Sequence, residues 1–364
     1  MRCNCDYVHP DIGGKISEAS VMPHIFAAEN VCSVYDDAYI LPYDDWKTGV
    51  GALCDSNGAI VPDHPDDEFV ESAAPFDLGS AVIRDEDVIN IGFLLNIFGH
   101  TFTENLSKLW FLESPQGKEL VRSGARIVYT TAFNDPLSET ALEFIRLAGF
   151  DISNAEHITE VTRFRKVYMP SNTFTTISGV KMYSPEYRLL IDRIRASIEA
   201  KTDSPSKIYF SRTLFRLAQP KREVGEKDIE NVFRALGYEI VFPEKLPLKE
   251  QLQLAAGCTH FASTECSTSH VTMFCRPGTK VTLLMKADYI NPHQQLINSL
   301  ADLDVTYVTA HNSIRTNRKH PWWGPFYLYV TPYLCRFAGI PYRHLPLLLR
   351  RSFRRYLLRI KDLG

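Results

Sequence analysis

From residue 207 onward, apolar and polar positions follow two alternating rhythms. KIYFS (207–211) reads as a strand, and KDIENVFRAL (227–236) spaces its apolar residues as a helix that stops at Gly237, a residue suited to the turn after a helix. YEIVF (238–242) is again β-rich, PLKEQLQLAAG (247–257) is helical, and THFAST (259–264) is a third strand. SHVTMFC (269–275) predicts a short helix stopped by Arg276-Pro277-Gly278, and KVTLL (280–284) a fourth strand. Short strand–helix repeats of this kind predict parallel strands joined by right-handed crossovers, a Rossmann-like sheet.

The first half has the same character in a less regular form. AYILP, AVIRD, ARIVYT and RKVYMP read as strands, and SETALEFIRLAGF as a helix closed by Gly149. NIFGHTFTENLSKLWFL (96–112) reads as one apolar helix opening near His100, and Tyr183–Thr202 as a helix linking two domains. The expectation is an α/β chain of two facing Rossmann-like domains with a cleft between them: 1–185, 186–310, and a separate tail, 311–364. Ligands of such sheets bind outside the carboxyl ends of the strands, so chemistry is sought in the cleft.

Composition supports this picture. With 364 residues, 45% hydrophobic and 23% charged, the chain can bury two cores and shows no bias towards disorder. The opening residues are polar and broken by Pro10, Gly13, Gly14 and Pro23, so no export signal is expected. The eight cysteines lack zinc-site spacing and disulfide density, which suggests reduced thiols in a cytoplasmic protein. Cys3-x-Cys5 is a weak metal or redox pair at an end expected to be mobile.

Charge changes the picture more. The net charge is −3, yet residues 311–364 hold eleven Lys or Arg and one acid, Asp362, leaving the tail at +10 and the remainder at −13. A basic end on an acidic body points to an anionic partner. Leu349, Phe353, Tyr356, Leu357 and Ile360 recur at helical spacing among Arg350, Arg351, Arg354, Arg355 and Arg359, which favours an anionic membrane surface over nucleic acid, through residues 344–364. A helix docked on the body with its arginines in water fits the same pattern. Phe326–Tyr342 is cut by Arg336, Gly339 and two prolines, so no membrane span is expected. The expected location is the cytoplasm, with peripheral attachment to the inner face of the plasma membrane.

Several motifs can carry chemistry. Arg212, Lys221 and Arg222 bracket a loop after the 207–211 strand, where cations could hold a diphosphate; they are equally an ordinary charged loop. STECSTSH (263–270) leads from a strand into a helix start, a place for anionic groups or simply a Ser/Thr cap. It is neither GxxxxGK[ST] nor GxGxxG. Glu265 within it suits hydroxyls better than phosphate. His100 and Glu104 fall one helical turn apart and could be a general base with its orienting carboxylate, part of a metal site, or a surface pair. The HExxH order of a zinc helix is absent. Asp-Glu-Asp (85–87) and Asp-Leu-Asp (302–304) precede strand-like runs and are expected in loops.

Taken in order, these motifs resemble glycosyltransferase family 61, which includes bacterial capsule and lipopolysaccharide transferases, plant xylan transferases and eukaryotic O-linked GlcNAc transferases. The resemblance runs from about residue 30 to 310. It rests on Gly99, His100, Glu104, Leu106, Leu109 and Trp110; on KVYMPS (166–171); on KIYFSR with Lys221, Arg222 and Glu226; on LGYEIVFPEKLPLKEQLQLAAGC; and on Glu265–His270 with Phe274, Pro277 and Gly278. Cys266 stands where the family usually has Gly, and Val271 where many members have Asn; a side chain at 266 would crowd a diphosphate.

The resemblance implies a GT-B fold and an inverting, metal-independent transferase, without a cofactor. A hexosyl or pentosyl unit would move from a nucleotide-sugar donor to a hydroxyl of a glycan or lipid-linked glycan in bacterial capsule, O-antigen or lipopolysaccharide biosynthesis. It further implies that 1–185 is the acceptor side, with His100 and Glu104 catalytic, and 186–310 the donor side. There Arg212, Lys221, Arg222, Ser267, Thr268, Ser269 and His270 would meet the diphosphate, and Glu244, Glu250 and Glu265 the hydroxyls or base. A catalytically degraded scaffold, for which Cys266 argues, and a nucleotide-sugar epimerase on the same fold are the alternatives.

Overall fold

The computed structural model describes residues 2–27, 30–43, 51–62, 71–73, 76–200, 203–215, 223–312 and 324–361. The chain divides into two compact units, one of Met1–Met22 with Ile198–Gly364 and one of Pro23–Ser197. This differs from the boundaries expected from sequence: the opening residues belong with the second half, and the division falls after Ser197, not at 185. The first segment of the chain is strand β1 (Arg2–Tyr7) followed by helix α1 (Pro10–Ser20). Cys3 and Cys5 therefore lie in a strand instead of a loose end. As residues i and i+2 they share one face, with their sulfurs 3.7 Å apart as free thiols.

The Pro23–Ser197 unit is built on seven strands, β2 (Cys32–Ile40), β3 (Leu53–Cys54), β4 (Ile60–Val61), β5 (Val82–Leu94), β6 (Arg126–Thr131), β7 (Glu156–His157) and β8 (Thr162–Pro170), in the order β4-β3-β2-β8-β5-β6-β7. Strands β8, β5, β6 and β7 run parallel, whereas β2 is antiparallel to β8 and continues into the antiparallel β3 and β4. The sheet is thus mixed, and only the half from β8 to the β7 edge matches the parallel sheet expected. β5 is buried continuously from Val88 to Leu94, as befits a strand flanked on both sides.

Asp85, Glu86 and Asp87 lie inside β5 and not in a loop. The register of β5 against β8 shifts between Arg84 and Asp87, and this bulge leaves the acids outward, where Arg84 reaches Glu86 and Glu156 while Arg165 meets Asp87 at 2.8 Å. Asp302 sits in a turn (φ 50°), with Asp304 opening a later strand.

Residues 96–112 do not form one helix. They fold into α2 (Phe98–Thr101), a 3₁₀ turn (Glu104–Leu106) and α3 (Trp110–Glu113). The cause is local: Thr101 donates to Ile97 O (3.2 Å) and Asn105 to Leu95 O (3.0 Å), so short polar side chains compete with the helical ladder. Helices α4 (Pro115–Arg122) and α5 (Glu139–Leu147), the hairpin β9 (Phe174–Ile177) and β10 (Val180–Tyr183), and α6 (Pro185–Ser197) complete the unit.

The other unit carries β11 (Lys207–Phe210), β12 (Glu223–Val224), α7 (Glu226–Ala235), β13 (Glu239–Val241), α8 (Leu248–Gly257), β14 (His260–Thr264), β15 (Lys280–Met285), α9 (Pro292–Leu300), β16 (Asp304–Thr309), β17 (Phe326–Tyr327), α10 (Pro332–Ala338) and α11 (Arg351–Lys361). Six strands form one wholly parallel sheet in the order β1-β16-β15-β14-β11-β13. The segment expected as a helix over 269–275 is a longer 3₁₀ stretch, Ser267–Phe274. A small pair, β12 with β17, stands apart from the main sheet. Gly225, before α7, has φ 99°, and a Cβ there would lie 1.8 Å from Leu328 O, so only glycine permits the approach that delivers α7.

From β11 the chain goes outward to β13 and then returns to β14 on the opposite side of β11. The crevice between the carboxyl ends of β11 and β14 is therefore the topological switch point of this sheet, where doubly wound folds take their ligands. Among the described residues, no helix is long and apolar enough to cross a membrane.

Candidate functional site

At that switch point the second unit gathers buried charge. Arg212 follows β11, Glu265 and Cys266 follow β14, Lys286 follows β15, and Glu223 and Glu226 come from β12 and the start of α7. Lys286 Nζ bonds Glu223 Oε1 at 2.9 Å, Arg212 Nη1 lies 3.9 Å from the same oxygen, and the Arg212 backbone N–H donates to the Glu226 carboxylate at 3.2 Å. Tyr209 O–H donates to Glu226 Oε1 at 2.9 Å. Arg212 Nε and Glu223 Oε2 are buried with no hydrogen-bond partner among the described residues. An unsatisfied guanidinium N–H and an unsatisfied carboxylate oxygen each cost free energy unless something else binds them.

The charges set one another's ionisation. Burial would push the Glu223 carboxyl up, but Arg212 and Lys286 outweigh it and hold it below its ordinary range. Burial also opposes ionisation of the Cys266 thiol, and the same two cations reverse that, leaving it lowered. Glu226, buried beside the charge of Glu223, is pushed up to about 8. Glu265 is also pushed up to about 8, chiefly by burial and against the pull of the Asn291 N–H and Lys286. Two carboxyls of this cluster are thus protonated near neutrality and can donate as well as accept hydrogen bonds.

The Cys266–His270 loop is held from below. Ser269 Oγ lies 2.6 Å from both Gln294 Oε1 and Cys266 O, its one proton serving one of them at a time, and the Cys266 N–H donates to Ser269 Oγ at 3.2 Å. Gln294 continues to Thr272 and Asn298, and Asn298 to Tyr307. Ser269 is fully buried, and its hydroxyl is engaged in this ladder, which shapes the loop. Ser267 and Thr268 are half-buried at its start, and the His270 ring stacks at 5.9 Å on that of His293. Cys266 has an extended backbone (φ −171°), which any residue adopts, and its side chain folds into the capping box of the 3₁₀ stretch. Nothing in this backbone requires glycine.

Glu244 stands exposed on the 3₁₀ turn after β13, and Glu250 half-buried in the first turn of α8. Lys221 and Arg222 lie outside the described residues. Glu223 and Lys286 were not singled out from sequence, although Lys286 directly follows a clear parallel strand; its place at a carboxyl end was the available signal.

In the first unit, the broken helix follows β5 directly. His100 Nδ1 lies 3.0 Å from Glu104 Oε1, with the His100 side chain 20% exposed and that of Glu104 fully buried. Thr103 Oγ1 donates to the other Glu104 oxygen. The pair survives the loss of the helix because the segment is pinned elsewhere: Leu95 N–H donates to Asn105 Oδ1 (2.8 Å), Trp110 Nε1 to Ser171 O (2.9 Å) and Thr173 Oγ1 to Ser107 O (2.6 Å). Glu104 shares a small pocket with Asn90, Ser107, Lys108, Thr130 and Asn172, at the carboxyl ends of β5, β6 and β8. β5 reaches it through a bulge at Gly92 (φ 92°), where a Cβ would stand 3.4 Å from the Lys108 stem.

The family model for glycosyltransferase 61 matches residues 98–282, just over half of the chain, beginning at α2 and ending inside β15. The chain belongs to glycosyltransferase family 61, and the class of activity is glycosyl transfer. A search among curated proteins finds no match.

Proposed function

We propose that the protein is an inverting, metal-independent glycosyltransferase of the GT-B type that carries a hexosyl or pentosyl unit from a nucleotide-sugar donor to a glycan hydroxyl in bacterial surface-polysaccharide assembly. The observation that carries this reading is the pairing of Arg212 and Lys286, both largely buried, at the switch point of the parallel sheet, with Arg212 Nε unpartnered among the described residues. In this proposal the second unit holds the donor. The acceptor oxygen forms a bond to the anomeric carbon as the bond from that carbon to the diphosphate breaks. The negative charge that moves onto the diphosphate is met by Arg212, Lys286 and the N–H groups opening the Ser267–Phe274 stretch. Glu265, held protonated, is suited to a sugar or ribose hydroxyl.

The first unit supplies the acceptor side. His100, the more exposed of the pair, takes the acceptor's proton, and Glu104 at 3.0 Å stabilises the imidazolium that results. The polar residues around Glu104 fit the hydroxyls of a glycan. A panel of nucleotide sugars screened by thermal shift and then by transfer tests this directly, since a ligand of the folded state raises its apparent stability. Stabilisation by one nucleotide sugar, with transfer to a glycan at an inverted anomeric centre, is the expected result. Retention of configuration, or donor conversion that proceeds equally without any acceptor, would overturn it.

A further inference from the structure

The described C-terminal residues 324–361 contain eight Lys or Arg and no Asp or Glu. Their last helix does not offer its aromatic stripe to a partner, as the sequence pattern had suggested it could. Phe353 and Tyr356 are buried against Tyr327 and Val224, and Arg359 donates to Glu223 O at 3.2 Å, so that stripe is spent on the body of the unit. The opposite face remains. Arg354 and Arg355 each lie three or four residues from both Arg351 and Leu358, and Lys361 lies three beyond Leu358, so all five share one outward side of α11. Leu358, in the middle of that cationic face, is 62% exposed.

More apolar surface stands immediately before it. Leu345, Leu348 and Leu349 are 48%, 68% and 59% exposed. Arg350 fixes this stretch, donating to Leu345 O at 3.1 Å and lying 4.7 Å over the Tyr329 ring. Beside it opens a groove of about 560 Å³, lined by Ile340, Tyr342, Arg343, Leu345, Arg350 and Arg351 among others, with Asp228 its single acid. Among the described residues, none of Arg343, Arg351, Arg354 and Arg355 lies within ion-pair distance of a carboxylate. Arginines alone are at home in water, and nucleic acid would engage them without using the leucines. Exposed leucines set between arginines that have no ion-pair partner among the described residues match a surface that is anionic outside and apolar just beneath.

We propose that this face, comprising the groove, Leu345, Leu348 and Leu349, and the outer side of α11, is where the protein lies on an anionic phospholipid membrane, its arginines on headgroup phosphates and its leucines entering the interface. The inference does not depend on the transfer reaction. Flotation of the full-length protein with vesicles of phosphatidylcholine alone, and with about a third phosphatidylglycerol, tests it. Binding at least roughly tenfold stronger to the anionic vesicles is expected, weakened by salt. Leu348→Ser/Leu349→Ser/Leu358→Ser should lose most of that binding at unchanged charge, and Arg351→Glu/Arg354→Glu/Arg355→Glu should abolish it. These positions are exposed, and unchanged circular dichroism and melting would show that the fold is intact. Equal binding to neutral and anionic vesicles, binding that survives both variants, or tighter binding to duplex RNA that the leucine variant leaves intact would each overturn the proposal.

Discussion

The two units place their candidate chemistry in the same way on different sheets. In the wholly parallel sheet, Arg212, Glu265 and Lys286 each follow the carboxyl end of a strand, and the strand order shows in advance which pair of ends should matter. In the mixed sheet, His100 and Glu104 follow the carboxyl end of β5 four residues apart, yet no regular helix carries them; polar side chains pin the fragments of the broken segment so that the two still meet. Parallel strands thus deliver functional groups in both cases. Regular βα repeats make the outcome readable from sequence, while in the broken segment spacing points to the pair and side-chain bonds that no periodicity announces keep it together.

His100→Ala and Glu104→Gln are each expected to lower turnover by roughly 10²–10⁴-fold, as loss of a general base does, while donor binding measured by calorimetry changes little. Full activity in both variants would remove the pair from the reaction. On the second unit, Arg212→Ala and Lys286→Ala should lower turnover by roughly 10²–10³-fold and, unlike the first-unit variants, weaken donor binding as well. An unaltered donor affinity would show that the buried cations serve only the fold.

A smaller effect concerns pH. Glu265 keeps its proton in the folded protein to about 8 against an ordinary value of 4.5. The unfolded chain therefore releases that proton first as pH rises, and this carboxyl's contribution to stability declines from about pH 4.5 to about pH 8. Glu265→Gln should remove that decline, raising the melting temperature relative to the parent at pH 8 and not at pH 4.5. An identical pH profile in the two proteins would contradict the raised ionisation. Least of all is expected from Cys266→Gly: with its backbone extended, the change should cost about 0.5–1 kcal/mol in a melting experiment and leave turnover as it was. A large gain in turnover would instead favour a degraded site.

Much of this was legible. The repeated strands and helices after residue 207, the cation at Arg212, the Glu265 loop and the His100–Glu104 pair all follow from spacing or from family-like motifs. Ser269 shows where such reading stops: its hydroxyl is as plausible on a phosphate as in a cap, and only the fold shows its contacts with Gln294 and Cys266, 25 and 3 residues away. The acids at 85–87 looked like a loop because a bulge interrupts the alternation of a strand.

By itself the amino-acid sequence determined the rhythm of the second unit, the glycines that end its helices and the basic character of its tail, because periods of two and 3.6 residues and left-handed turns are local properties of the chain. Tertiary structure alone decided that β1 joins the parallel sheet at its far edge, that Glu223 and Lys286 meet 63 residues apart, and that the last helix buries Phe353 and Tyr356 and turns Leu358 outward. Those outcomes depend on which distant surfaces bury one another and which charges must then find partners, and neither is written in any short stretch of sequence.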